Sequence, residues 1–373
     1  MNKKPSIWVV TFYAGQIIEP EAFENKPVFG SELALLEVFQ RLGKIYDVSI
    51  FIHKQSGYQF QKYNITWRSE TDWNNLISSC IPDNIVISRY LGAMCDLIIP
   101  TSCKLFLWCH DTCIHPSYKG AQLPPPFANN MSRRITRVVT VGDSQREEIM
   151  LKHYTIEREK YITIKNGVNL KGLEPKTRGP MSFVYASAPD RGLVKLLRMW
   201  PRILQEWPYA SLQIFHNLSD QDKEAIGKWE RVFPIGKVNQ KTLFDKLQYV
   251  DYWVYPSIFY ETCCTTAIEM AYHGPICITN DLGALKENNI AGIIIPRDNK
   301  KRDIWYHENV KDEGAIIDWN FEHDLFLKLR YLEAHPEEKD QIRNRQRAWA
   351  SLQTWDKRAE EWDNLLKNFT NYI

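Results

Sequence analysis

Apolar residues in this chain fall into two kinds of block that alternate. SIWVVTF (6–12), YDVSIFIH (46–53), DNIVISRY (83–90), KLFLWCH (104–110) and RVVTVG (137–142) are short and dense in Val, Ile and aromatic residues, so they predict buried strands. Between them the apolar positions follow a helical period. FGSELALLEVFQRLGK (29–44) puts Leu33, Leu36 and Phe39 on one face. DSQREEIMLKHY (143–154) predicts another helix, with Asp143 or Ser144 as its N-cap. KYITIKNGV (160–168) closes this half. The alternation is that of parallel sheets covered by helices on both faces.

KGLEPKTRGP (171–180) is polar, rich in Gly, Pro and charge, and has no period, so it predicts a linker. A second alternating half follows. SFVYAS (182–187), ASLQIFH (210–216), YWVYP (252–256), PICIT (275–279) and AGIIIP (291–296) predict strands. LVKLLRMWPRILQEW (193–207) has helical spacing, and Pro201 within it predicts a kink or a break at Trp200. From His323 the tail is helical and charged. The two halves predict an α/β protein of two Rossmann-like domains, with residues 1–175 as the first and 176–353 as the second.

Composition narrows the class. A chain of 373 residues is too long for one ordinary core and suits two domains. The net charge of +2 gives no basic footprint for nucleic acid. The basic and apolar start, MNKKPSIWVVTF, is too short in its apolar run for a signal peptide and reads as a first strand. No apolar run reaches membrane-spanning length. The eight cysteines show no regular spacing, and those in apolar runs, such as Cys109 and Cys277, suit a reducing, cytoplasmic compartment.

The densest chemistry lies in YPSIFYETCCTTAIEMAYHGP (255–275), where Glu261 and Glu269 are eight positions apart between a strand and a helix. Eight helical steps would separate their Cα atoms by roughly 12 Å. A retaining glycosidase needs its carboxyls about 5–5.5 Å apart, so this is not such a pair. Glu261 is better placed in the loop before a helix that starts near Thr265, with Glu269 inside it. Free N–H groups at such a start attract phosphate. A diphosphate there leaves one carboxylate for sugar hydroxyls and one for ribose. The plain alternative is two solvated charges on an ordinary helix.

This segment resembles the donor-site signature of glycosyltransferase family 4, with PS-x3-E-x7-E followed by HGP and NDLGALKE. Four further stretches agree in order: VFGSE, LFLWCHD, the run from VVTVGDSQREEIM to KYITIKNGVNL, and ASAPDRGLVKLLRMWPRILQEWP. The resemblance implies a GT-B architecture, two domains facing across a cleft, with a last helix (about 354–373) returning to the first domain. It implies that His110 faces the donor sugar and reacting centre and that Glu261 binds the sugar's hydroxyls. Glu269 would hold the ribose and Arg191 the diphosphate, beside the helix start at Cys264, Thr265 and Thr266. Gly30 would let backbone approach phosphates or acceptor. Thr262-Cys263-Cys264 stand where the family has Gly-Phe-Gly, and Ala186-Ser187 where it often has Gly-Arg, so Lys195 or Lys237 would supply a second cation.

The implied activity is transfer of a sugar from a nucleoside diphosphate sugar to a hydroxyl of a glycan, lipid or small molecule. Retention of configuration and no obligatory metal or other cofactor are implied too. Rival readings are an epimerase or phosphorylase on the same fold, a non-catalytic carbohydrate- or partner-binding module, and a DNA-modifying sugar transferase, against which the charge argues. His110 can also be read as a structural histidine. Cys109, His110, Cys113 and His115 invite a zinc reading but lack a second spaced pair. The loop 115–137 is Pro-rich and basic at Arg133, Arg134 and Arg137, and suits an acceptor or the surface of a membrane. The loop 13–29, with Glu19, Glu21 and Glu24, has a similar claim.

Overall fold

The computed structural model describes residues 4–11, 18–23, 30–95, 97–114, 132–170, 176–226, 229–297 and 319–368. The chain divides into two compact units, residues 1–167 with 355–373, and residues 168–354. The polar stretch 171–180 thus belongs to the start of the second unit, and 171–175 lie outside the described residues, as do Glu24 and most of the loop 115–137.

The first unit holds an eight-stranded sheet. Its strands are β1 (Ser6–Val10), β2 (Asp47–Ile52), β3 (Gln59–Lys62), β4 (Ile65–Ser69), β5 (Asn84–Ser88), β6 (Lys104–Cys109), β7 (Arg137–Thr140) and β8 (Tyr161–Thr163). The order is β3-β4-β2-β1-β5-β6-β7-β8, parallel throughout except between β3 and β4. That hairpin turns through Tyr63 and Asn64, both left-handed with φ of 60° and 59°. A Tyr-Asn turn lacks the glycine that announces such hairpins, and periodicity alone did not reveal it.

The helix Gly30–Leu42 lies against the C-terminal helix Trp355–Asn368. Trp362 is fully buried, its ring centroid 5.0 Å from that of Trp108 and 6.2 Å from that of Phe39. Tyr46 Oη donates to Asp363 at 2.8 Å. The predicted helix 143–154 begins instead as a π-helical turn, Gln145–Met150, followed by Leu151–His153. Ser144 sits at its start with helical φ and ψ and makes no capping bond through its side chain. Gln145 does the tying: it accepts from Val141 N at 2.8 Å and donates to Asp111 O at 2.7 Å.

The second unit holds β9 (Ser182–Tyr185), β10 (Ser211–Ile214), β11 (Val232–Pro234), β12 (Tyr252–Tyr255), β13 (Ile276–Thr279) and β14 (Ile293–Ile294). They run in the order β11-β10-β9-β12-β13-β14, all parallel. The helix Leu193–Glu206 continues through Pro201 without the predicted break. Pro201 itself is exposed, while Leu196, Trp200 and Ile203 anchor the buried face.

Candidate active site

In the second sheet β9 and β12 are neighbours, with β10 beyond one and β13 beyond the other. The chain leaves them in opposite directions, and ligands bind at such switch points, outside the strands' carboxyl ends. The loop after β9 makes a 3-10 turn, Pro189–Arg191, and passes Gly192 into the helix Leu193–Glu206. Gly192 has φ of 135°, and a Cβ there would stand 2.6 Å from Pro256 O in the loop after β12. Only glycine permits that crossing. Ile258 N donates to Arg191 O at 3.2 Å, which stitches the two loops together.

This crossing brings Arg191 to Glu261. Arg191 Nη1 lies 3.2 Å from Glu261 Oε1, and the guanidinium sits 4.1 Å from the Phe259 ring centroid. Glu261 is 5% exposed and accepts from Tyr255 Oη at 2.7 Å. Its backbone oxygen accepts from Ala284 N at 2.7 Å. Gly283, at φ of 59°, lies so close that a Cβ would be 2.4 Å from that oxygen. Burial pushes the Glu261 carboxyl upward in pKa; Arg191 and Tyr255 pull it back without cancelling the rise. Burial works against the charge of Arg191, but Glu261 together with Tyr255, Cys264 and Asp190 outweighs it and leaves the guanidinium's pKa raised.

The helix Thr265–His273 starts where the sequence predicts. Its cap residue Cys264 is left-handed, with φ of 50° and ψ of 64°, and makes no capping bond through its side chain. The turn that glycine would suit is therefore present with a cysteine in it. Asn288 Nδ2 donates to Cys263 O and braces the turn. Thr265 and Thr266 are half-buried at the start of the first helical turn, where the leading N–H groups have no carbonyl of their own helix ahead of them; Ala267 N donates to Cys264 O at 3.0 Å. Glu269, in the next turn, is half-buried and accepts from Gln240 Nε2 at 2.8 Å. Burial pushes its carboxyl up to about 7 against the pull of Gln240. Lys195 is half-buried in the first turn of Leu193–Glu206. Lys237 has an exposed side chain on the loop after β11, two strands from β9, and its backbone N donates to Asn217 Oδ1 at 2.9 Å.

His110 belongs to the first unit, just past β6. It is buried, with its ring centroid 4.5 Å from that of Trp108. Burial pushes its pKa down to about 3; Asp111 opposes this and Arg89 adds to it, so the imidazole is neutral at physiological pH. Gly30 opens its helix in the first unit, exposed, with nothing within 4 Å of where a Cβ would lie. Among the described residues no group of three or more His, Cys, Asp or Glu side chains is arranged to hold a metal; His115 of the zinc reading lies outside them. None of the eight cysteines forms a disulfide. No helix among the described residues is long and apolar enough to cross a membrane. Sequence reasoning missed Tyr255, Gln240, Gly192 and Gly283. Of these only Gly192, directly after Arg191, and Gly283, within NDLG, left a visible signal.

Solved structures share this fold across the whole chain. A sucrose-phosphate synthase from Thermosynechococcus elongatus superposes with a TM-score of 0.68, covering 98% of this chain and 99% of its own at 13% identity. A glycosyltransferase from Rickettsia africae gives 0.68 with 100% of both chains covered at 12% identity. The Anabaena protein HepE, solved in complex with UDP and glucose, gives 0.62, covering 98% of this chain and 100% of its own at 11% identity. The fold is therefore the GT-B class of α/β architecture. No protein family and no curated protein sequence matches the chain.

Proposed function

We propose that this protein is a glycosyltransferase that moves a sugar from a nucleoside diphosphate sugar to a hydroxyl acceptor. The observation that carries the reading is the Arg191–Glu261 pair at the β9/β12 switch point, beside the first turn of Thr265–His273. A diphosphate needs cationic and N–H donors, and Arg191 and that helix start supply both. Glu261 suits the hydroxyls of the donor sugar, and Glu269 those of the ribose. The same-fold protein HepE was solved with UDP and glucose, which favours a donor of this kind.

The kinship we infer is with glycosyltransferase family 4, and with it a retaining reaction. The left-handed backbone at Cys264 supports the kinship, since positive φ is what the second glycine of the family's Gly-Phe-Gly would permit. In the mechanism, negative charge grows on the leaving diphosphate, and Arg191 with the helix start stabilises it without an obligatory metal. Among the described residues the reading places no carboxylate nucleophile on the face opposite the leaving group, so the leaving phosphate takes the acceptor's proton on the same face. Neutral His110 can donate or accept a hydrogen bond but carries no charge. A reducing, cytoplasmic compartment suits cysteines that form no disulfide.

Glu261→Gln and Arg191→Ala are expected to lower kcat/KM by about 100-fold or more in protein that still unfolds cooperatively. Titration with UDP-, GDP- and ADP-sugars should give binding with one nucleotide class. Full activity in both variants would remove the donor-site assignment.

A further inference from the structure

The first sheet has a charged cluster of its own at its switch point. β1 and β5 are neighbours, with β2 beyond one and β6 beyond the other, as β9 and β12 are in the second sheet. The chain after β1 returns as the helix Gly30–Leu42, whose first turn carries Glu32. Arg89 directly follows β5, and Asp111 lies two residues past β6. Arg89 Nε donates to Asp111 Oδ2 at 2.8 Å, and Nη2 to Oδ1 at 3.1 Å. Its Nη1 stands 3.6 Å from Glu32 Oε1. Each sheet thus holds an arginine and a glutamate at its switch point. In the first sheet, though, two carboxylates share one guanidinium, for a formal charge of minus one. Neutral His110 does not offset it.

Glu32 points to a ligand. Its side chain is 5% exposed. Oε2 accepts from Ser31 Oγ at 2.9 Å, whereas Oε1 has no hydrogen-bond partner among the described residues. At 3.6 Å the guanidinium is beyond hydrogen-bond reach of it. A buried carboxylate oxygen left without a donor is costly, and a ligand O–H would relieve that cost. Two residues earlier, Gly30 leaves the space beside the helix start open.

Resting on the glycosyltransferase reading, we propose that Glu32, oriented by the Arg89–Asp111 pair, is an acceptor subsite for the hydroxyl of an uncharged sugar, and that it disfavours phosphorylated acceptors. A hydroxyl donates to Glu32 Oε1; a phosphate brings only acceptors and a like charge into a poorly solvated site. Arg89 offers such a phosphate little, because Asp111 already takes two of its donors.

The test titrates the full chain by calorimetry and saturation-transfer NMR with methyl glycosides of glucose, galactose, mannose and N-acetylglucosamine, and with glucose 6-phosphate. Each titration is run with and without saturating UDP and GDP. At least one uncharged glycoside should bind at millimolar concentration, and glucose 6-phosphate should bind no tighter than methyl glucoside. Glu32→Gln should weaken the glycoside about tenfold or more while nucleotide affinity holds. Glycoside binding unchanged in Glu32→Gln, a preference for the phosphate, or no glycoside binding at all would each overturn the subsite. If Glu32→Gln fails to fold, the wild-type preference between neutral and phosphorylated sugar decides. Glycoside binding without any nucleotide binding would instead overturn the donor reading and leave this subsite standing.

Discussion

At the scale of single residues, the second unit concentrates its demands where loops cross. Cys264 adopts a left-handed backbone that glycine would hold at lower cost, yet the helix start behind it forms as the sequence predicts. Gly192 has no such latitude, because its φ of 135° and the nearby Pro256 O forbid any side chain. Gly192→Ala should therefore cost about 2 kcal/mol or more, read by denaturant unfolding. It should also displace Arg191, the preceding residue, so donor affinity falls with stability. An alanine variant with wild-type stability and donor binding would contradict the crossing. These demands were only partly legible beforehand. Glu261 and Arg191 stood out by residue type and flanking pattern, whereas Tyr255 looked like one more strand aromatic. Its hydroxyl matters only because β12 ends beneath Glu261.

At the scale of elements, the helix Thr265–His273 couples the site to pH through Glu269. The carboxyl has a folded pKa of about 7 against a model-compound value of 4.5. Below about pH 4.5 it is neutral whether the chain is folded or not, and its contribution to stability is fully present. As pH rises through 7, the unfolded chain ionises freely and the folded one against burial, so stability is lost, on the order of 2–3 kcal/mol. Glu269→Gln removes this term. Its stability advantage over the wild type should grow between pH 5 and 8, read by thermal unfolding at each pH. A difference that stays constant would refute the shifted carboxyl. Periodicity gave this helix and most strands to within a few residues. It failed for the β3–β4 hairpin and for the π-helical turn at Gln145. In both cases the deciding contact is made by the turn or a side chain, not by the apolar pattern.

At the scale of the whole molecule, the first unit is completed by the last helix, whose Trp355 and Trp362 are both buried. Trp362 packs against Phe39 and Trp108 from segments more than 200 residues away in sequence. Trp362→Ala should destabilise the unit by about 3–5 kcal/mol, measured by loss of near-ultraviolet dichroism and a lower unfolding midpoint. Donor binding should persist, because Arg191, Glu261 and Glu269 belong to the other unit. Loss of donor affinity at temperatures where the variant stays folded would contradict that independence.

The sequence by itself determined the class of fold, the two-part division and the strand ends at which His110, Arg191 and Glu261 stand. Those follow from local patterns of burial, which periodicity records directly. Only the tertiary structure decided that Arg191 closes on Glu261, that Tyr255 and Gly283 hold that carboxylate, and that Glu32, Arg89 and Asp111 meet in the first unit. Such pairs are joined across neighbouring strands, and strand order is set by packing between distant segments, which no local pattern encodes.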